Sequence, residues 1–179
     1  MTDAESQNVN SFRIGLGHDT HRLGEGGPLV LGGIRIDFPQ HLIGHSDADV
    51  LLHAITDALL GAANMGDIGE CFPDSAPENR NRDSQDMLKL VVERIANAGY
   101  QIIHLDCIVF AEAPKLTPHK LPIRQSIAQI LHIPLDAISV KAASASLMSA
   151  AAASASISEM SCEPSRPSGH IAMHFIANK

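Results

Sequence analysis

The chain has no tryptophan, and aromatic residues occupy only 3% of its 179 positions. Proteins that grip single-stranded nucleic acid stack bases on aromatic side chains along a basic groove. Here 13 Lys and Arg face 20 Asp and Glu, a formal charge of −7, so nucleic acid is not an expected partner. No apolar run reaches the ~20 residues that a membrane helix needs, so no membrane partner is expected either. Cysteine is scarce too. Cys71, Cys107 and Cys162 are odd in number and form no C-x-x-C pair, which argues against a disulfide framework and fits a reducing compartment. The opening MTDAESQNVNS is polar and acidic, unlike a signal or transit peptide, so a cytoplasmic protein is expected. What the chain does have is 45% hydrophobic residues, enough for one core, and ten histidines, which ligate metals and titrate near neutral pH.

Residues 1–11 read as a disordered lead-in and 12–179 as one domain. FRIGLGHDTHRL predicts a strand ending near His21, and PLVLGGIRID predicts a hairpin turning at Gly32-Gly33, with a loop from there to about Ser46. Apolar residues from Val50 to Ala62 fall at helical spacing, with Asp47 or Asp49 available as N-cap, predicting a helix over 49–63. NMGDIGECFPDSAPENRNRDS is rich in Gly, Pro, Asp and Asn and reads as a long loop, of the kind that usually carries function. A helix from Asp83 or Ser84 to Ala98 stops at Gly99; QIIHLDCIVFAEA then reads as a strand, LPIRQSIAQILHI as a helix ended by Pro134, and AISVKAA as another strand. The plan to that point is βαβαβ-like, and HIAMHFIA alternates like a closing strand. Composition leaves the Ala/Ser tract 142–161 open between helix and loop.

Asp19 and His21 are one residue apart, which on extended chain puts both side chains on one face, close enough to share an ion. His53, early in the helix over 49–63, supplies a third ligand if that helix packs across the strand end. Two imidazoles and a carboxylate suit Zn²⁺, with Mn²⁺ or Co²⁺ as alternatives, and leave one coordination position open. The plain alternative is a surface D-x-H pair and a hydrogen-bonded core histidine, and spacing alone favours it. His45, Ser46, Asp47 and Asp49 precede the same helix, whose N-terminal amides favour an anion; an ordinary N-cap turn explains Ser46 and Asp47 equally well. Simple turn chemistry also accounts for Gly66-Asp67-Ile68-Gly69 and for Phe72-Pro73-Asp74-Ser75, and Ala113-Pro114-Lys115 reads equally as a strand end with a solvated lysine.

Together these segments resemble the 2-C-methyl-D-erythritol 2,4-cyclodiphosphate synthase family. The matching elements are RIGLGHDTHRL, GPLVLGGIRI, HSDADVLLHAITDALLGAANMGDIGECFPD, the Asp83-Ser84 helix start, Ala98-Gly99-Tyr100 and AEAPKLTPH, in order from Arg13 to Lys141. The resemblance turns the metal reading of Asp19, His21 and His53 into the favoured one. It implies an α+β fold: a two-layer sandwich with a mixed four- to five-stranded sheet and helices on one face, in a homotrimer with active sites between subunits. It also implies the reaction. The 2-phosphate of 4-diphosphocytidyl-2-C-methyl-D-erythritol 2-phosphate attacks the β-phosphorus and CMP leaves. By matching position, His45 and Ser46 contact the phosphates, with His45 assisting the transition state, and Asp19 and His21 meet substrate as well as metal. Asp67, Ile68 and Gly69 meet the ribose and erythritol part. Phe72, Pro73, Asp74, Ser75 and Ala76 line the methylerythritol pocket. Ala111, Ala113, Pro114, Lys115, Leu116 and Thr117 cradle cytosine, largely through backbone groups, with Lys115 near the phosphates.

After Lys141 the chain departs from the family pattern. Ala143 and Ser144 stand where the family has two threonines, Ser146 where it has a glutamate and Leu147 where it has a lysine. Ser144 keeps a hydroxyl able to stabilise the transition state. Ser146 cannot replace a carboxylate toward a hard cation, so the Mg²⁺ expected on the substrate diphosphate lacks its ligand. Glu159, Glu163 and Arg166 are the residues available to fill the missing roles. Two readings follow: a working synthase with a divergent C-terminal wall, or a non-catalytic metal- and nucleotide-binding trimeric relative.

Overall fold

Asp49 starts the most apolar helix among the described residues by accepting four backbone amides. Its Oδ1 takes the N–H groups of Leu51 and Leu52, both at 3.1 Å, and of Gly32 at 2.9 Å; its Oδ2 takes that of Gly33 at 2.6 Å. The first pair caps α1 (Val50–Ala63), and Asp49 rather than Asp47 is therefore the N-cap. The second pair anchors the turn of the expected hairpin, β3 (Leu29–Leu31) and β4 (Ile34–Ile36), where Gly32 and Gly33 sit at φ 63° and 76° as a two-residue turn of this hand requires. One fully buried carboxylate thus welds a hairpin to a helix start.

The computed structural model describes residues 13–143 and, as backbone, the strand 170–178. The lead-in 1–11, Ser144, Ser146, Leu147, Cys162 and the candidates Glu159, Glu163 and Arg166 lie outside the described residues. The predicted N-terminal strand is interrupted and longer than expected. β1 (Ile14–Gly15) and β2 (Thr20–Glu25) pair with β8 (His170–Asn178) in one continuous register, Ile14 with Asn178 and Thr20 with Ala172, and the ladder lapses between them. The cause is an unusually close approach to α1: a Cβ on Gly15 would lie 1.7 Å from the Ala58 carbonyl oxygen, and one on Gly17 1.9 Å from that of Ala54. Extended chain then continues beyond His21 to Glu25, where the sequence suggested an end.

Further corrections follow from pairings that sequence alternation does not encode. The stretch read as loop to Ser46 contains β5 (Gln40–Leu42), an edge strand on β2. The long loop contains α2 (Ile68–Cys71), capped by Asp67, and a 3-10 turn over Pro77–Asn79. Its end is as expected: Asp83 caps α3 (Ser84–Asn97), and Gly99 follows at φ 82°. Among the described residues there is one βαβ unit, β6 (His104–Phe110), α4 (Lys120–Leu131) and β7 (Ile138–Ala143), with β6 and β7 parallel. The closing strand β8 inserts antiparallel between β2 and β6, giving the order β5-β2-β8-β6-β7 with β1 also on β8. The main sheet is therefore mixed and six-stranded, one more than the largest number expected.

Helix α1 packs against β1 and β8 on one side and α3 on another, while α4 lies against β7. Its buried residues, from Val50 through Ile55 to Leu60, join Leu88 and Val91 of α3, Leu105 and Val109 of β6 and Ile123 and Ile127 of α4 in one core. His53 and Asp57 are among the few α1 residues left partly exposed, one turn apart on one face, and that face borders the site. Cys107 is buried and Cys71 half-buried; neither forms a disulfide. Among the described residues no helix is long and apolar enough to cross a membrane.

Candidate metal centre

Asp19 ends the segment that crosses α1, and His21 is the second residue of β2. Because Gly17 rides directly on the Ala54 carbonyl, Asp19 arrives beside His53 on the first turn of α1. The Asp19 Oδ2 atom lies 3.0 Å from His21 Nε2 and 2.9 Å from His53 Nδ1. The imidazole rings stand edge to face, centroids 5.6 Å apart, and one ligand atom from each of the three residues falls within 4.8 Å of the others. The far nitrogens are held as well: His21 Nδ1 is 2.7 Å from the Ile43 carbonyl oxygen, and His53 Nε2 is 2.8 Å from Ser84 Oγ and 3.0 Å from Ser46 Oγ. The three residues expected as ligands thus converge.

Burial is the largest influence on the Asp19 carboxyl and pushes its pKa up, but hydrogen bonds and charge from His21 and His53 outweigh it and hold the group below the usual carboxylate range. The hydrogen bond to Asp19 raises His21 above an ordinary imidazole, against the opposing effect of burial. Two imidazole nitrogens within 3.0 Å of one carboxylate oxygen mark a place suited to positive charge, which a divalent ion supplies. Two nitrogens and one oxygen at this spacing fit Zn²⁺, and three protein ligands leave a position free.

The trio forms one wall of an open cleft of ≈ 220 Å³. Of the residues the resemblance assigns to substrate, His45, Ser46, Ile68, Gly69, Phe72 and Asp74 line it, together with His18, Asp57, Asn79 and Met87, which sequence reasoning missed. Asp57 had a signal, being one helical turn from His53; burial raises its pKa against the hydrogen bond it accepts from the Ile68 amide at 2.8 Å. His18 immediately precedes Asp19 in the chain, whereas Asn79 and Met87 come to the cleft from the 3-10 turn over Pro77–Asn79 and from α3. The 45–49 loop is fastened to the segment before α3, with the Asn81 amide donating to the His45 carbonyl at 2.9 Å and the Asp47 amide to that of Arg82 at 3.2 Å. Asp67 is occupied as the cap of α2 and, with Pro73, Ser75 and Ala76, does not line this cleft. Nor do Ala111, Ala113, Pro114, Lys115, Leu116 and Thr117. Their segment follows β6, which β8 separates from β2; Leu116 is in the core and Lys115 is exposed.

The model of the YgbB family matches residues 12–162. The chain belongs to that family. A relative in Rhodopirellula baltica is 49% identical over 132 residues, 74% of this chain and 80% of its own length, and one in Salinibacter ruber is 53% identical over 131 residues, 73% and 83% respectively. Both bear the name 2-C-methyl-D-erythritol 2,4-cyclodiphosphate synthase. A solved structure of a synthase of that name, described as a bound form with CDP, superposes on this YgbB-family chain with a TM-score of 0.78 at 31% identity, covering 93% of this chain and 100% of the other. A Plasmodium falciparum structure described as a CDP complex gives 0.72 at 27% identity, covering 94% and 96%. The sequence resemblance and these comparisons agree.

Proposed function

We propose that this chain is a 2-C-methyl-D-erythritol 2,4-cyclodiphosphate synthase, a phosphorus–oxygen lyase that converts 4-diphosphocytidyl-2-C-methyl-D-erythritol 2-phosphate to the cyclic diphosphate and CMP. The observation that carries this reading is the convergence of Asp19, His21 and His53 on the wall of a cleft, in a chain about half identical to proteins named for that reaction. Those names support the catalytic reading rather than the non-catalytic alternative.

In the reaction an oxygen of the 2-phosphate bonds to the β-phosphorus, the bond from that phosphorus to the oxygen bridging to the α-phosphate breaks, and CMP departs with the bridging oxygen and its electron pair. No protein nucleophile is required. The work is to bring two anions into line and to stabilise charge on the phosphoryl oxygens. A divalent ion on Asp19, His21 and His53 supplies positive charge that a chain of net charge −7 otherwise lacks. His45 and Ser46 hold phosphate oxygens from the neighbouring loop, with His45 and the Ser144 hydroxyl assisting the transition state. Ile68 and Gly69 orient the sugar part, and Phe72 and Asp74 shape the methylerythritol pocket, with Asp67, Pro73, Ser75 and Ala76 holding the segment that carries them. Mg²⁺ on the diphosphate has no protein carboxylate at Ser146.

Ala111 to Thr117, assigned to cytosine with Lys115 near the phosphates, lie away from the cleft of their own chain. A neighbouring copy in a homotrimer brings them to it, and this assembly also gives cover to Ile14 and Leu16, 64% and 65% exposed on the side of the strand opposite α1. Each subunit is then a two-layer sandwich with its helices on one face of the sheet, acting in the cytoplasm. Phosphorus NMR of the purified protein with the diphosphocytidyl substrate and Zn²⁺ is expected to show the cyclic diphosphate and CMP appearing together; unchanged substrate refutes the proposal.

A further inference from the structure

The reading of Asp19, His21 and His53 as metal ligands leaves open what fixes the His53 ring, whose outer nitrogen points away from the trio. Ser84 is 1% exposed, the first residue of α3, and its Oγ lies 2.8 Å from His53 Nε2. The same hydroxyl is hydrogen-bonded to Asp47 Oδ1, and the Ser84 amide donates to Asp47 Oδ2 at 3.2 Å. The carboxylate can only accept, so the Ser84 proton points to Asp47. Ser84 therefore presents a lone pair to His53, and with Ser46 Oγ also able to accept at 3.0 Å, the arrangement is satisfied when Nε2 carries the hydrogen. In the neutral ring that leaves Nδ1, the atom facing Asp19 and His21, with its lone pair free. His21 is set in the same sense from the other side, since its Nδ1 meets a backbone carbonyl and Nε2 faces inward.

From this geometry we infer that Ser84 and Asp47 are positioning residues for the metal: a hydrogen-bonded chain from half-buried Asp47 through buried Ser84 to His53 selects the ring tautomer and orientation that ligation requires. This rests on the proposed metal site and goes beyond it, since neither residue is one of the three converging ligands or lines the cleft. Outer partners of ligating histidines typically contribute about 10- to 100-fold in metal affinity.

The test is zinc affinity, read by competition with a chromophoric chelator, for the full chain and for Ser84→Ala, Asp47→Asn and the double variant, with far-UV dichroism checking the fold of each. Ser84→Ala is expected to weaken zinc binding by about tenfold or more and Asp47→Asn by a smaller factor. Because Asp47 acts through the hydroxyl, Asp47→Asn is expected to cost nothing further once Ser84 is alanine, a coupling that a merely structural role of either residue would not produce. Asp47→Asn retains the side-chain shape and reads the same chain should Ser84→Ala fold poorly. Unchanged affinity in folded variants, or losses that simply add, would overturn the inference. A wild-type chain that binds no zinc would instead refute the metal site on which it rests.

Discussion

Gly17→Ala adds one methyl group and is expected to dismantle the metal centre while leaving the protein folded. The new Cβ would lie 1.9 Å from the Ala54 carbonyl oxygen and 2.7 Å from the Ala58 amide nitrogen, and ordinary contact starts at 3.4 Å, so the strand segment and α1 must part by about 1.5 Å. Gly17 does not have the positive φ that would itself disfavour alanine, so the whole effect is steric. Overpacking of this kind costs about 1–3 kcal/mol, or roughly 2–12 °C in melting temperature for a chain of this size. Metal sites tolerate about 0.2 Å. Asp19, two residues on, is therefore expected to lose its common centre with His53, and zinc affinity to fall by far more than stability does. Gly61→Ala is the matched control on the same helix: nothing lies within 4 Å of its Cβ position, so it is expected to gain about 0.5–1 kcal/mol from the better helix former and to keep its zinc. Calorimetric melting beside a zinc titration reads both quantities. A Gly17→Ala protein with wild-type affinity would refute the idea that backbone approach to α1 places Asp19.

Three further outcomes follow from particular contacts. Asp49→Ala removes a helix cap worth about 1 kcal/mol and strands the Gly32 and Gly33 amides at about 1–3 kcal/mol each, so urea titration is expected to show a loss of about 3–7 kcal/mol; a loss under about 1 kcal/mol would mean the hairpin is not anchored there. Asp57 has its pKa raised mainly by burial, so the folded state binds its proton more tightly than the unfolded chain, and wild-type stability falls as pH rises from below 3.8 through the raised value. Asp57→Asn keeps an acceptor for the Ile68 amide without the charge, and the metal-free variant is expected to gain on wild type at neutral pH and lose that advantage toward pH 3.8; a gap independent of pH would reject the assignment. Ser146→Glu is expected to lower the Mg²⁺ concentration needed for turnover, and an unchanged Mg²⁺ dependence would show that position 146 does not face the diphosphate.

Local chemistry made much of this molecule legible in its sequence. The spacing of apolar residues marks α1 and α3, Gly32-Gly33 marks the hairpin, and Asp19, His21 and His53 have the donor types of a metal site. Spacing alone favoured a surface pair and a core histidine, because nothing local says that a strand and a helix will lie close enough for those donors to meet. The missing information sits in Gly15 and Gly17, whose lack of side chains reads as a break in a strand until the Ala54 and Ala58 carbonyls are seen against them. The same limit hid β5, the central position of β8 and the role of Ser84, each fixed by a partner distant in sequence. The Ala111 to Thr117 segment was assigned to the site from resemblance, and its place away from the cleft of its own chain is a fact about strand order that no motif contains.

Zinc content per chain, measured by mass spectrometry on the native protein and on Asp19→Ala and His53→Ala after exhaustive dialysis, tests the shared ion most directly. One zinc per chain in the native protein and close to none in either variant is the expected result; full zinc retained by both variants would contradict the site and the chemistry built on it.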